Sequence, residues 1–164
     1  MPMMVWERMP SPVGELLIVG HADALTGLHF PGVEPNAAWV PAARATDAGA
    51  AMVHEARRQL EEYFAGARTR FVLPFDAAGT EFQQKVWAAL DGIPFGDVIS
   101  YAEMARRVGS PLGMRAVGAA NGRNPLAIVR PCHRVIGANG SLTGFGGGLP
   151  AKRWLLQHEG VQLG

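Results

Sequence analysis

The chain has 164 residues, 48 % of them hydrophobic and 18 % charged, with a net charge of +1. That length suits one compact domain or two small ones, and the apolar content at so low a net charge excludes general disorder. No run nears the ~18 consecutive apolar residues of a membrane helix, and the opening residues carry Glu7 and two prolines rather than a signal pattern, so a cytoplasmic protein is expected.

A single cysteine, Cys132, excludes an intramolecular disulfide and a cysteine-rich zinc site. The five histidines (His21, His29, His54, His133, His158) show no metal-ligand spacing. No metal and no cofactor are expected. Charge is unevenly spread: residues 1–76 carry a net −3 and residues 77–164 a net +4. A basic C-terminal half suggests contact with an anion, although clustering by chance would look the same in so small a count.

In chain order, MVWERM, VGELLIVG and LTGLHF have the apolar character and Gly/Pro punctuation of a small antiparallel sheet. The proline-rich PGVEPNAAWVPAA reads as an irregular loop. Met52, Val53, Ala56, Leu60, Tyr63 and Phe64 then recur at helical spacing, predicting an amphipathic helix that starts near Thr46 or Asp47 and stops at Gly66. TRFVL is expected to return to the sheet, with a linker near 74–79. Nothing in this half assembles a catalytic set.

Thr80 with Gln83 forms a capping box opening a helix through Phe82, Val86, Trp87 and Leu90. Ser100 with Glu103 forms a second, opening a short helix from Tyr101 to Val108, with Gly109 to end it and Ser110-Pro111 to begin the next. Two short helices across a tight glycine turn fit either a helix-turn-helix or an ordinary helical hairpin. The second helix, LGMRAVGAANGRN, is rich in Gly and Ala, with Arg115 near its start and Arg123 near its end. Small residues weaken a helix by roughly 1 kcal/mol per Gly relative to Ala, but they allow close backbone approach to a narrow groove.

Next comes the apolar run Leu126-Ala127-Ile128-Val129, expected to be a buried extended segment leading to Cys132. A lone cysteine is most often an inert, buried hydrophobe. Here Arg130 and Arg134 flank it and are expected to favour the reactive thiolate. Asn139-Gly140 predicts a hairpin between RVIGA and SLTG. A last helix runs from Pro150 to about Glu159 and ends at Gly160. A carboxylate is unfavourable at a helix C-terminus, so Glu159 needs a partner, and His133 is the natural one.

The motifs PCHRVIG, Ser100-Tyr101, RAVG, Asn124-Pro125 and LLQHEG, in this order and spacing, resemble those of the O6-alkylguanine-DNA alkyltransferases, also called methylated-DNA–protein-cysteine methyltransferases. The resemblance is strongest over residues 80–163; the N-terminal half is similar to the family's smaller domain in layout. It implies an α+β protein: a supporting domain, residues 1–76, of antiparallel sheet plus helix, then a mostly helical domain, residues 77–164, with a helix-turn-helix. It also implies direct repair of DNA, by irreversible single-turnover transfer of the alkyl group of O6-alkylguanine, or O4-alkylthymine, to the protein's own cysteine.

The resemblance further implies that Cys132 is the nucleophile, His133 its base through a water, Glu159 the orienting carboxylate, and Tyr101 a donor to the guanine ring. Carbonyls near Cys132 and Val135 would accept from the guanine amino group, and Asn124 would hold the turn before the active-site segment. Backbone donors in the loop around Phe145 and Gly146 would meet the guanine oxygen. Relatives often carry a tyrosine or another hydroxyl-bearing residue around that loop, where this sequence has Phe145 and Gly146; a backbone contact survives that change and a side-chain contact does not. The N-terminal half lacks the cysteines that hold zinc in some relatives. The target atom lies inside the base stack, so the base must be flipped out. Arg115 would fill the gap, while Ala116, Gly118, Ala119 and Arg123 meet the minor groove of double-stranded DNA. No membrane and no obligate protein partner are implied. Two other readings compete: a Cys-His-Glu thiol hydrolase, separable by turnover on an ester or amide, and a non-enzymatic lesion binder, which would be expected to lack the cysteine.

Overall fold

The structure is a computed structural model describing residues 3–45, 48–110, 113–137, 139–140, 142, 145 and 147–163. The chain divides into two compact units, Met1–Ala77 and Ala78–Gly164. Among the described residues no helix is long and apolar enough to cross a membrane, and no group of three or more His, Cys, Asp or Glu side chains could hold a metal ion.

In the first unit, strands β1 (Val5–Met9), β2 (Leu16–His21) and β3 (Ala24–His29) form an antiparallel meander. Central β2 is buried along its whole length, matching its unbroken apolar run LLIV. Helix α1 (Ala48–Phe64) buries Val53, Ala56, Leu60 and Tyr63; the expected start at Thr46 or Asp47 lies outside the described residues. Its C-terminus closes as expected at Gly66: the Gly66 N–H donates to the Tyr63 carbonyl and the Ala67 N–H to that of Glu62.

Two expectations need correction. The proline-rich loop contains a two-residue strand β4 (Val40–Pro41), parallel to β1 at the sheet edge, and a 3₁₀ turn (Ala42–Arg44), so the sheet order is β3-β2-β1-β4 and the sheet is mixed. TRFVL does not rejoin the sheet. The Gln59 side chain takes both the N–H (2.9 Å) and the carbonyl (3.0 Å) of Val72, and Phe71 packs on Tyr63. The segment is thereby held on α1, and the strand-like return comes later, where Phe75 bridges Leu25.

The second unit holds α2 (Glu81–Leu90), β5 (Ile99–Ser100), α3 (Tyr101–Val108), α4 (Gly113–Gly122), a 3₁₀ turn (Cys132–Arg134), β6 (Val135–Ile136) and α5 (Leu149–His158). The Thr80–Gln83 capping box is complete. At α3 only half of the second box forms. Ser100 accepts from the Glu103 N–H, but the Glu103 carboxylate turns to Arg106 (2.6 Å) and Arg107 (2.8 Å). Two guanidiniums outbid one backbone N–H for a carboxylate.

Gly109, at φ +64°, ends α3 in the left-handed conformation that L side chains avoid, and α4 packs back on α3. Pro111 and Leu112, where the next helix was expected to begin, lie outside the described residues. Trp87 donates from Nε1 to the Ala120 carbonyl (2.9 Å, buried), tying α2 to the end of α4. The core is built from Val86, Trp87, Leu90, Ile93, Met104, Val117, Leu126, Ile128, Val135, Leu155 and Leu156.

Leu126–Val129 is buried as expected but not extended. The Val129 N–H reaches back to the Ala127 carbonyl (2.8 Å) across Ile128, which sits at φ +70°. A β-branched residue there is a strained outlier. Asn124 clamps the loop from inside, its Oδ1 accepting from the Leu126 N–H and its Nδ2 donating to the Arg130 carbonyl. The hairpin expected across Asn139-Gly140 falls largely on residues outside the description (Ala138, Ser141, Thr143, Gly144). A turn is present, Gly140 N–H to Gly137 carbonyl, but β6 takes β5 as its ladder partner, in parallel.

Candidate active site

The β5–β6 ladder pairs Ile99 with Val135 and Ser100 with Ile136. It therefore sets Tyr101, the first residue of α3, beside the chain that follows Cys132. Cys132 opens the 3₁₀ turn and is 6 % exposed. Its N–H donates to the Arg130 carbonyl (2.8 Å) and its carbonyl accepts from Asn121 Nδ2 (3.2 Å).

The tight turn throws His133 and Arg134 to the end of α5. Gly160, at φ +84°, terminates that helix, with its N–H on the Gln157 carbonyl and the Val161 N–H on that of Leu156. Glu159 is left at the C-cap, 3 % exposed. Its Oε2 lies 2.8 Å from His133 Nε2, and both oxygens accept from Arg134, at 2.7 Å from Nε and 3.0 Å from Nη2. The remaining Arg134 arm donates to the Ile93 carbonyl (2.6 Å). A carboxylate at the negative end of a helix is thus held by Arg134 as well as by the expected His133.

The protonation states follow from this geometry. Burial alone would push Glu159 up, but hydrogen bonds from His133 and Arg134, with their charges, bring it down to about 2. An ionised carboxylate only accepts, so His133 Nε2 carries the ring proton. His133 Nδ1 is then the acceptor nitrogen, and it is buried without a hydrogen-bond partner among the described residues. Desolvation also holds His133 below its ordinary value, against the pull of Glu159. The imidazole is neutral at pH 7, with its basic nitrogen open.

The thiol differs from expectation. Arg130 and Arg134 do not activate Cys132: Arg130 pairs with Asp91 (3.0 Å) and Arg134 with Glu159. Burial pushes the Cys132 thiol up, opposed by a hydrogen bond from Asn124 and the charge of Lys152. Cys132 is a thiol that needs a base rather than a thiolate ready-made.

Lys152, on α5, is fully buried; its Nζ donates to the Val135 carbonyl (2.7 Å) and lies 5.8 Å from the ring centres of both Tyr101 and Phe145. Sequence reasoning missed Lys152, Asn121 and the ion-pair role of Arg134. For Lys152 a signal existed: it shares the buried face of α5 with Ala151, Leu155, Leu156 and Glu159, where a lysine has no reason to lie for packing alone.

The other expected residues are spread over neighbouring elements. Asn124 and Val135 lie beside Cys132, and Phe145 is brought in by its contact with Lys152. Gly146 lies outside the described residues. On α4, Arg115 and Ala119 are exposed and Ala116 is half-buried, with exposed Arg123 just beyond the helix; Arg115 and Arg123 form no ion pair among the described residues. Gly118 turns inward, where a Cβ would stand 3.8 Å from the Tyr101 ring.

The second unit thus holds a buried Cys with a neighbouring His–Glu pair and a helix pair, α3–α4, that carries exposed Arg115 with exposed Arg123 just beyond it. Two family models match the chain: the ribonuclease-like domain of 6-O-methylguanine DNA methyltransferase over residues 4–77, and the DNA binding domain of the same family over residues 81–161. The chain is 49 % identical to the methylated-DNA–protein-cysteine methyltransferase of Mycobacterium leprae, over 94 % of this chain and 92 % of the relative. It is 47 % identical to the constitutive enzyme of that name from Bacillus subtilis, over 92 % of each. The crystal structure of Mycobacterium tuberculosis OGT in complex with DNA is similar with a TM-score of 0.84 and 45 % identity, over 94 % of this chain and 92 % of that one. The protein belongs to the methylated-DNA–protein-cysteine methyltransferase family.

Proposed function

We propose that this protein repairs DNA by moving the alkyl group of O6-alkylguanine onto Cys132, once per molecule. The observation that carries the reading is His133, the residue after the protein's one cysteine: its Nε2 is oriented by Glu159 and its Nδ1 is buried without a hydrogen-bond partner among the described residues. That is the arrangement a base needs to take a thiol proton, here through a water. Sulfur then attacks the alkyl carbon in line, the carbon–oxygen bond breaks, and negative charge develops on guanine. Tyr101 donates to the ring as that charge appears, and the carbonyls of Cys132 and Val135 accept from the guanine amino group. Each of those carbonyls already accepts one side-chain donor, from Asn121 and Lys152, and has a second lone pair to offer.

Double-stranded DNA carrying the lesion is the partner, met in its minor groove by the helix-turn-helix α3–α4. Apart from the outward Met114, the α4 face beside Arg115 is cut back to Ala116 and Ala119, which suits a narrow groove. The lesion base is flipped into the site, at a cost of a few kcal/mol, and Arg115 fills the space it leaves. Arg115→Ala is therefore expected to slow transfer from duplex DNA far more than transfer from the free alkylated base. Equal loss on both would place Arg115 in the pocket instead.

The deciding experiment is intact-mass measurement after mixing the protein with an oligonucleotide containing O6-methylguanine. One methyl group should appear on Cys132, and with lesion in excess the product should plateau at one equivalent. A thioether offers no carbonyl for water to attack, so nothing releases the alkyl group. Sustained turnover would overturn the single-use reading, and turnover on an ester or amide would favour a thiol hydrolase.

A further inference from the structure

Met114 is the one large apolar side chain that α4 leaves to solvent, 55 % exposed. Isolated exposed apolar side chains are ordinary, so exposure by itself argues nothing. Its surroundings do. Side chains four residues apart on a helix stand in one row. The inward rows of α4 bury Val117, Ala120 and Asn121, and the Ala120 carbonyl is tied to Trp87, so the packing face of this helix lies elsewhere. One outer row carries Arg115, Ala119 and, just beyond the helix end, Arg123, all exposed. The adjacent row carries Met114, Gly118 and Gly122. Past Met114 that row has no side chains: a Cβ at Gly118 would stand 3.8 Å from the Tyr101 ring, and one at Gly122 would meet nothing within 4 Å. A bare row thus leads from the Tyr101 side of the helix to a single slim apolar side chain, about 100° around the helix from Arg115.

We propose that Met114 is an apolar wedge for duplex DNA, packed in the minor groove against the deoxyribose walls and base edges of the step beside the one that Arg115 holds open. The inference rests on the proposed reading of α4 as the element that enters that groove. In a groove about 6 Å wide, an unbranched thioether can follow the available gap, because its torsions turn freely and its sulfur is polarisable. Apolar side chains of this kind part a base step from the minor-groove side. The two neighbours divide the task. Arg115 brings charge and fills the vacated stack, while Met114 brings apolar area that is buried only when DNA is bound. The Arg115–Arg123 row is complementary to phosphate, and a duplex seated on it covers the adjacent Met114 row.

Affinity for an O6-methylguanine duplex is measured in the Cys132→Ser background, so that binding is not followed by transfer. Adding Met114→Ala should weaken binding about fivefold, the loss expected for a thioether half-buried on binding. The slope of log affinity against log salt should not change, because a neutral side chain releases no counterions. Met114→Leu should keep most of the affinity. With Cys132 in place, neither substitution should alter transfer from the free alkylated base. Unchanged duplex affinity would leave Met114 outside the interface, and a shallower salt slope would mean that it acts only through the phosphate contacts of its neighbours; either overturns the inference. A matching loss on the free base would place Met114 in the pocket and overturn it as well.

Should a variant fail to fold, the wild type provides the same test. Hydrogen peroxide oxidises exposed thioethers to sulfoxides, and peptide mapping reads each methionine separately. Excess undamaged duplex should slow oxidation of Met114 severalfold relative to Met3, which is 51 % exposed in the first unit. No such difference, in a protein that binds the duplex, would overturn the inference alone. A wild type that bound no duplex would count against the proposed function and take the inference with it.

Discussion

Cys132→Ser should abolish methyl transfer from O6-methylguanine DNA while leaving DNA binding close to the wild type. Displacement at an sp³ carbon needs an anionic or strongly polarisable nucleophile, and a serine hydroxyl is neither at neutral pH. His133 can accept a thiol proton but cannot make an alkoxide in a pocket where burial already resists charge on sulfur. Serine is smaller than cysteine, and the site is fixed by backbone: the N–H and carbonyl of residue 132 are held by Arg130 and Asn121. In the proposed reading docking rests on α4 and its exposed arginines, so it should survive. Intact mass should find no adduct, and fluorescence anisotropy with lesion-bearing duplex should give an affinity near the wild type. Parallel loss of binding would show that chemistry and docking are not separate in this unit.

Glu159→Gln should produce the largest loss of stability of any single isosteric change in the second unit. It removes one charge and strands another, since the Arg134 guanidinium, 6 % exposed, loses its counter-ion while still bound to the Ile93 carbonyl. Breaking a buried pair in this way costs about 3–5 kcal/mol, against a total stability of about 5–15 kcal/mol for a typical domain. Thermal unfolding should fall by at least ~10 °C for a unit of this size. The solvent-exposed pair of Glu103 with Arg106 provides the control, because Glu103→Gln should leave the transition almost unmoved.

The same network fixes the acid behaviour. Glu159 and His133 both have folded values below their unfolded ones. Each therefore contributes stability that is complete above its unfolded value and is lost as the pH falls. The loss should begin below about 6.5, where the unfolded chain starts to protonate His133. It should steepen below about 4.5 as Glu159 follows, toward its folded value of about 2. In Glu159→Gln the second stage should be weakened. Urea titrations at pH 7.5, 5.5 and 3.5 measure both stages.

Helices were legible wherever their signals were local. The Thr80–Gln83 box, Ser100, Gly66, Gly109 and Gly160 each act within four or five residues of the end they set. Strands β1 to β3 were legible for a similar reason, because a buried central strand must be apolar throughout. TRFVL has equally good strand character, yet it is held on α1 by Gln59, a residue whose amide has no signature until a backbone lies beside it. Leu126–Val129 was readable as buried but not as a turn, since apolar content reports burial and says nothing of φ at Ile128.

The candidate site divides along the same line. Cys132 with His133, and Glu159 just before a terminating glycine, could be set out from order and spacing, and the need of a C-terminal carboxylate for a partner pointed at His133. Those are short-range facts of chain chemistry. Which cation faces which anion was decided by packing alone. Arg130 and Arg134 adjoin Cys132 in the chain but spend their charge on Asp91 and Glu159, while Lys152, twenty residues away, is carried inward on the buried face of α5. Coulomb energy depends on distance and burial, not on separation along the chain. Sequence neighbours of a nucleophile therefore say little about its field until the fold has assigned each charge its partner.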